Sequence, residues 1–248
     1  MLNEAKTWEI EEYPELLKEI RLAIGPNKIM SAAVPGIPRD LLAFTKANMR
    51  VIADTLDFVN VMTYDLKNRR DHQTGHHAGV SASSIAINAY IGRGLSPAKI
   101  NLGFAFYIKW FKTVEGLCRK PTGCPTKLLE DPETGDDLGN AGAFSWHDEV
   151  PEELLSSYTK AIEHGKYDEV AGGHYFHDME QHIYWTWETS TSIKLKADLV
   201  PQNGLGGVFA WALGEDAPKW SHLSALTTAV RDLRQIPVTP PSIIRDEL

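Results

Sequence analysis

Tyr64 and Asp65 stand side by side at the end of an apolar run, Leu56–Met62, with Thr63 leading into them and the charged stretch Lys67–Asp71 behind. A phenol donates a hydrogen bond and a carboxylate supplies an anion. At the C-terminal tip of a strand both sit where α/β barrels place their chemistry. The alternative is a buried strand whose tip residues only cap a loop. The other candidate groups are weaker. His76 and His77 raise the question of a metal, but adjacent histidines are a poor ligand pattern, and ordinary polar loop contacts are the expectation. Cys118 and Cys124 bracket the short segment Arg119–Gly123. A disulfide is expected there, which fits an oxidising compartment, with free thiols as the alternative. Without suitably spaced histidines the two sulfurs do not suggest zinc. No metal and no other cofactor is expected.

Presenting Tyr64 and Asp65 requires a strand behind them. An apolar run bounded by polar loops reads as a strand buried on both faces. The surrounding pattern supplies partners. Leu16, Leu17, Ile20, Ala23 and Ile24 share one helical face, and Gly25-Pro26 stops that helix. A strand over 29–34 follows, then a helix from about Asp40 to Ala53, then the strand ending in Tyr64-Asp65. Ala82, Ile85, Ala86, Ala89 and Tyr90 form the next stripe, and 100–106 the next strand. Strand–helix alternation implies a parallel sheet with helical cover. From about Ile108 to Glu188 the pattern changes. Gly, Pro and Asp cluster through 121–142, a helix is expected over 151–164, and aromatic alternation at 173–176 and 183–187 reads as a small hairpin. A helix over 190–200, a strand over 206–212 and a helix over 223–233 resume the first pattern.

Length and composition narrow the function classes. A chain of 248 residues is long enough for eight βα units, which take about 250, but the irregular middle segment uses part of that length. The net charge of −8 argues against nucleic acid as a partner. No apolar run reaches the ~18 residues of a membrane span, so no membrane partner is expected. The first residues lack the apolar core of a signal peptide. The last four, Arg-Asp-Glu-Leu, are similar to an ER-retrieval signal, read here as chance.

Phe58–Asp65 resembles the sixth barrel strand of glycoside hydrolase family 18, the chitinases and their non-catalytic relatives, where an apolar run ends Met-x-Tyr-Asp. Lys28–Pro35 resembles the fifth strand, Ile100–Tyr107 the seventh, and Gly206–Asp216 the eighth, with Trp211 in the position of the active-site floor tryptophan. The wording is most similar to fungal chitinases. The resemblance implies an α/β fold, a (β/α)8 TIM barrel represented by its last four βα units. Barrel units would occupy residues 1–107 and 189–235, an α+β insertion 108–188, and a mobile tail 236–248. The family's acid-bearing motif, Asp-x-x-Asp-x-Asp-x-Glu, has no full match. Its only echo is Glu12-Tyr13-Pro14, with Ile10, Trp8 and Ala5 where the aspartates would stand. Half a barrel exposes apolar edges, so a missing N-terminal half or a dimer partner is expected.

The chemistry the resemblance implies is substrate-assisted, retaining hydrolysis of β-1,4-linked N-acetylglucosamine, in which the sugar's own acetamide attacks the anomeric carbon. Tyr64 would donate to the acetamide oxygen and Asp65 steady the ring nitrogen; Met62 would lie under the acetyl methyl. Trp211 would stack on the sugar and Tyr107 donate to it. Arg70 takes the place of a tryptophan that stacks on the leaving-group sugar in many relatives. Tyr184, Trp185 and Trp187 are further groove-wall candidates, although alternate members of such a hairpin must face the insertion's own core, and Trp146 has the same two alternatives. The expected partner is chitin or its oligosaccharides. The alternative function is a lectin-like protein that binds them without turnover. The family is usually secreted.

Overall fold

The computed structural model describes residues 6–235; the tail 236–248, with its Arg-Asp-Glu-Leu end, lies outside them. Helix α1 (Thr7–Ile24) starts well before the apolar stripe that announces it. The Glu9 carboxylate accepts the Lys6 N–H at its first turn. Pro14 lies inside this helix and has no N–H to give the carbonyl of Ile10. The Asn48 side chain of the next helix donates to that carbonyl instead, at 3.3 Å. Glu12 sits exposed on the same helix.

Strand β1 (Ser31–Pro35) leads to α2 (Lys46–Thr55), which begins later than its apolar pattern suggests. The residue that sets the start is Thr45, whose hydroxyl accepts the Asn48 N–H. Strand β2 (Phe58–Met62), helix α3 (Val80–Ile91) and strand β3 (Ile100–Ala105) follow, and after the long middle segment come α5 (Ser190–Ala197), α6 (Leu199–Asn203), β9 (Gly207–Trp211) and α7 (Ser221–Gln235). The four strands form one parallel sheet, order β1-β2-β3-β9, with Val34 beside Val61, Val61 beside Leu102 and Leu102 beside Val208.

The helices cover one face of this sheet. Val34, Val59, Val61, Leu102 and Phe104 pack with Ile52, Ile87, Tyr90 and Ile193 into the main core. Strand β2 is therefore not buried on both faces. Val59 and Val61 are enclosed while Phe58, Asn60 and Met62 on the opposite face are half-buried, because no helix among the described residues lies over that side. On α3 the buried stripe is Ser83, Ala86, Ile87 and Tyr90, and Ile85 is solvent-exposed. Small Ser83 and Ala86 let the helix lie close, and the Tyr90 hydroxyl donates to the Pro35 carbonyl.

The middle segment builds a second sheet, antiparallel, from β4 (Tyr107–Lys112), β5 (Ala141–Ser145), β6 (Lys166–Asp168), β7 (Gly173–Asp178) and β8 (Ile183–Trp187), in the order β5-β4-β8-β7-β6. Helix α4 (Glu152–His164) packs on it. The expected hairpin is β7–β8. Strand β4 escapes a sequence reading because Phe106 alone separates it from β3. The aromatic residues of β8 are core, not groove wall. Trp185 and Trp187 are enclosed with Ile108, Trp110 and Leu154, and Tyr184 with Phe111 and Leu129. The Trp185 indole N–H is satisfied by Ser157. Trp146 is half-buried against His222. Cys118 and Cys124 are joined as a disulfide.

Candidate functional site

The tip of β2 is held by its own chain and by β3. The Thr63 hydroxyl donates to the carbonyl of Gly103 and accepts that residue's N–H, at 2.7 and 2.9 Å. Gly103 has to be glycine, since a Cβ there would meet the Val61 carbonyl and the Tyr64 ring at 2.8 and 2.9 Å. Thr63 thus brings Tyr64 against β3, where its ring meets Tyr107 and Phe209 edge-on. Asp65 turns the chain with φ +53°, a left-handed conformation that aspartate tolerates better than most side chains.

Three side chains converge on the Asp65 carboxylate. The Tyr107 hydroxyl donates to Oδ1 at 2.7 Å and the Lys109 ammonium at 2.9 Å. The His77 Nδ1 lies 3.8 Å away, too far for a direct hydrogen bond, and Tyr64 is the preceding residue. Burial pushes the Asp65 pKa up, but His77 and Lys109 beside it outweigh burial and hold the group below the usual carboxylate range. Asp65 is thus an anion across ordinary pH. Burial, and after it the charges of Asp65 and Glu215, push Tyr64 up to about 12. Tyr64 therefore keeps its proton, and its hydroxyl has no partner among the described residues. Burial and the Asp65 charge push Tyr107 up as well.

Trp211 ends β9 in register with Ala105, with more than half of its surface open to solvent. Its indole borders a cavity of about 240 Å³ whose walls are Asp65, Tyr107, Ala143, Phe144, Ser145, Asp148 and Glu215. Three of the expected site residues, Asp65, Tyr107 and Trp211, meet at this cavity. Tyr64 and Met62 pack beside it in the cluster with Tyr107 and Phe209. Arg70 is not among the cavity's lining residues. It is solvent-exposed, and the neighbouring Arg69 ties the loop to Glu130 and Asp137 instead. The histidines behave as loop groups. His76 pairs with Asp168 at 3.1 Å, and His77 is wholly enclosed behind Asp65.

Lys109, Asp148 and Glu215 are additions that the sequence did not flag, and His77, raised there only as a possible metal ligand or loop contact, joins them. Lys109 is legible only once β4 is known, because strand alternation then puts it on the same face as Tyr107. Glu215 and Asp148 come from segments about seventy residues apart, and no local pattern joins them.

His77 gives the cluster a pH signature. Burial pulls its pKa down to about 4. An unfolded imidazole takes up its proton near 6.5, so between these two values the unfolded state binds the extra proton. Stability should then fall as pH drops from about 6.5 to about 4 and level off below, by up to about 3 kcal/mol from this group. Urea unfolding at pH 7 and pH 4 tests it. His77→Gln should remove that part of the acid loss, and an unchanged loss in the variant would sink the assignment.

The chain was compared with known proteins. The family model described as glycosyl hydrolases family 18 matches residues 3–216. Chitinase 1 of Aphanocladium album is 25% identical over 222 residues, covering 85% of this chain and 46% of that protein. This chain thus spans less than half of that relative's length. Among solved structures, a chitinase from Rhizomucor miehei superposes with a TM-score of 0.70 at 20% identity, covering 90% of this chain and 67% of the other. A class V chitinase mutant from Nicotiana tobaccum, in complex with NAG4, gives 0.67 at 21% identity, covering 90% and 65%. A chitinase-like agglutinin from Robinia pseudoacacia gives 0.59 at 22% identity, covering 90% and 61%. These likenesses establish an α/β fold of the TIM-barrel type. With a family model that spans most of the chain and an α/β fold shared with chitinases, this protein belongs to glycoside hydrolase family 18.

Proposed function

We propose that this chain carries the acetamide-holding and sugar-stacking part of a chitinase site, acting on β-1,4-linked N-acetylglucosamine. The observation that carries the reading is the meeting of an ionised, firmly held Asp65 with Tyr107 and an open Trp211 around one cavity, the protonated Tyr64 packed beside it. In substrate-assisted hydrolysis the acetamide carbonyl attacks the anomeric carbon as the glycosidic oxygen leaves with a proton. Positive charge grows on the resulting oxazoline nitrogen. A carboxylate already fixed beside it stabilises that charge without reorganising. Tyr64 keeps its proton and is suited to donate to the acetamide oxygen. Met62 packs beside Tyr64 and is suited to the acetyl methyl. Arg70 remains a candidate for the leaving-group side on the strength of the family pattern alone.

The proton donor is the missing part. The family's acid motif has no full match in the 248 residues, and Glu12 lies exposed on α1. We read residues 6–107 and 189–235 as the last four βα units of a barrel with 108–188 inserted, the open edges of β1 and β9 being where further units would pair. Hydrolysis then depends on a general acid from outside these units, and the chain by itself binds. That absent motif, together with the agglutinin among the structural neighbours, also favours a second reading, a chito-oligosaccharide-binding protein without turnover. Calorimetry and a product assay with chitotetraose test both. Binding is expected, and Asp65→Ala is expected to weaken it by roughly tenfold, the worth of a hydrogen bond to a charged group. Turnover when a segment carrying the family's acid motif is supplied in trans would select the first reading, binding without turnover even then the second, and no binding at all would refute both.

A further inference from the structure

Glu215 is the carboxyl group of this cavity that no other side chain among the described residues engages. Asp65 is taken by Tyr107 and Lys109. Asp148 accepts the Ser145 N–H at 2.7 Å. The next residue, Asp216, accepts the N–H groups of His222 and Leu223 at the start of α7 and lies 3.2 Å from the His222 ring. No side chain among the described residues bonds or pairs with the Glu215 carboxyl; the Ala212 N–H is the one neighbour that favours its charged form, and its Oε2 is shut away from solvent without a partner. Its backbone is fixed on both sides: its N–H donates to the Ala212 carbonyl, and its own carbonyl accepts the Trp146 N–H. The side chain therefore stays at the wall of the cavity that Trp211 floors.

We propose that Glu215 is a sugar-contacting residue, which in its neutral form donates a hydrogen bond to a polar group of the N-acetylglucosamine unit lying on Trp211. This rests on the reading of the cavity as a chito-oligosaccharide site. Three facts converge. The groups facing Glu215 are Asp148 from the loop after β5, Asp65 from the tip of β2, and Tyr107 from the start of β4; no cation lines the cavity. Lys109, which reaches the rim of the cavity at Asp65, is spent on that carboxylate. An anion at Glu215 thus meets two other carboxylates and a partly closed setting. Burial first, and then the charges of Asp148 and Asp65, push its pKa up. A neutral carboxyl donates as well as accepts, whereas ionised Asp65 only accepts. Sugar hydroxyls and acetamide carbonyls both have lone pairs to offer such a donor. Because Oε2 is enclosed, the proton that can reach a ligand is one carried on Oε1, the oxygen of this carboxyl that is not shut away.

The sign follows directly. The donor is present at low pH and lost as pH rises through the Glu215 pKa, so affinity for the sugar falls with rising pH. Asp65 stays ionised through that window and contributes no change. His77, with its pKa near 4, titrates close by and is left in place in every variant below. The test is calorimetry with chitotetraose between pH 4 and pH 7 on the wild type, Glu215→Gln and Glu215→Ala, with a carbon-13 carboxyl titration of the ligand-free protein. One neutral hydrogen bond corresponds to roughly a three- to tenfold change in affinity. The wild type should lose that factor across the range. Glu215→Gln, a permanent donor of the same shape, should hold the low-pH affinity throughout, and Glu215→Ala the weak high-pH affinity throughout. The Glu215 carboxyl should titrate above the ordinary glutamate value. Identical pH profiles in wild type and Glu215→Gln would overturn the proposal while leaving the sugar site standing. Absence of chitotetraose binding at every pH in all three proteins would overturn the site itself and the role of Glu215 with it.

Discussion

Trp211→Ala is expected to weaken chitotetraose binding by about 10- to 100-fold and to leave the melting temperature nearly unchanged. An aromatic anchor at the centre of a binding site typically costs about 2 kcal/mol when truncated, and each 1.4 kcal/mol is about tenfold in affinity. The asymmetry between binding and stability is the informative part. With 57% of its surface open, the indole takes little part in either core. Its removal from an exposed position should change stability by no more than about 0.5 kcal/mol, or a degree or two in a chain of this size. A core tryptophan would behave in the opposite way. Trp185 is fully enclosed and bonded to Ser157, and its truncation should damage folding first. Isothermal calorimetry together with a thermal melt therefore sorts the two roles. A large drop in melting temperature for Trp211→Ala, with affinity retained, would show that the residue packs rather than stacks.

That contrast also marks what was legible in the sequence. The strand run ending in Tyr64-Asp65 and the Gly-Val-Phe-Ala-Trp run ending at Trp211 are continuous patterns, so the strand ends could be read from them, while the roles of the tip residues came from the family resemblance and stand as proposals. The aromatics of β8 carry the same residue types at the same strand spacing. Nothing local distinguishes an indole over a groove from one under helix α4. Which face is covered depends on α4 and β4 folding back, a tertiary fact. The same limit explains the misjudged burial of β2, whose composition is that of a strand covered on both sides. Sequence pattern reports what a strand is prepared to bury, and the sheet's neighbours decide what it does bury. Charged residues were the least legible. Lys109 and Glu215 earn their places through partners dozens of residues away or through the absence of any.

Lys196 is the extreme case, and replacing it carries the largest expected effect on folding. By composition it is one of five polar positions on α5, two of them lysines, yet it is wholly enclosed. Its ammonium donates to the Thr63 carbonyl at 2.8 Å, lies 3.4 Å from Glu188 Oε1 and sits over the Phe104 ring. Glu188, equally enclosed, accepts the Ala105 N–H with its other oxygen. Burial pulls Lys196 down and pushes Glu188 up, and each charge offsets part of the other's penalty. Removing one partner leaves the other charge buried and alone, at a cost of about 3–5 kcal/mol. Lys196→Ala should therefore lower the melting temperature by roughly 10 °C, at the two to four degrees per kcal/mol usual for this size. The pair also spans the site, since Thr63 leads into Tyr64 and Asp65 and Ala105 faces Trp211 across the sheet. A double-mutant cycle separates the charge from the packing. Lys196→Met with Glu188→Gln, which removes both charges and keeps most of the volume, should cost less than Lys196→Met alone. If the double variant is instead as unstable as the sum of its parts, the two side chains act independently. The hold on Thr63 would then come from the single Lys196 hydrogen bond, with no contribution from the ion pair.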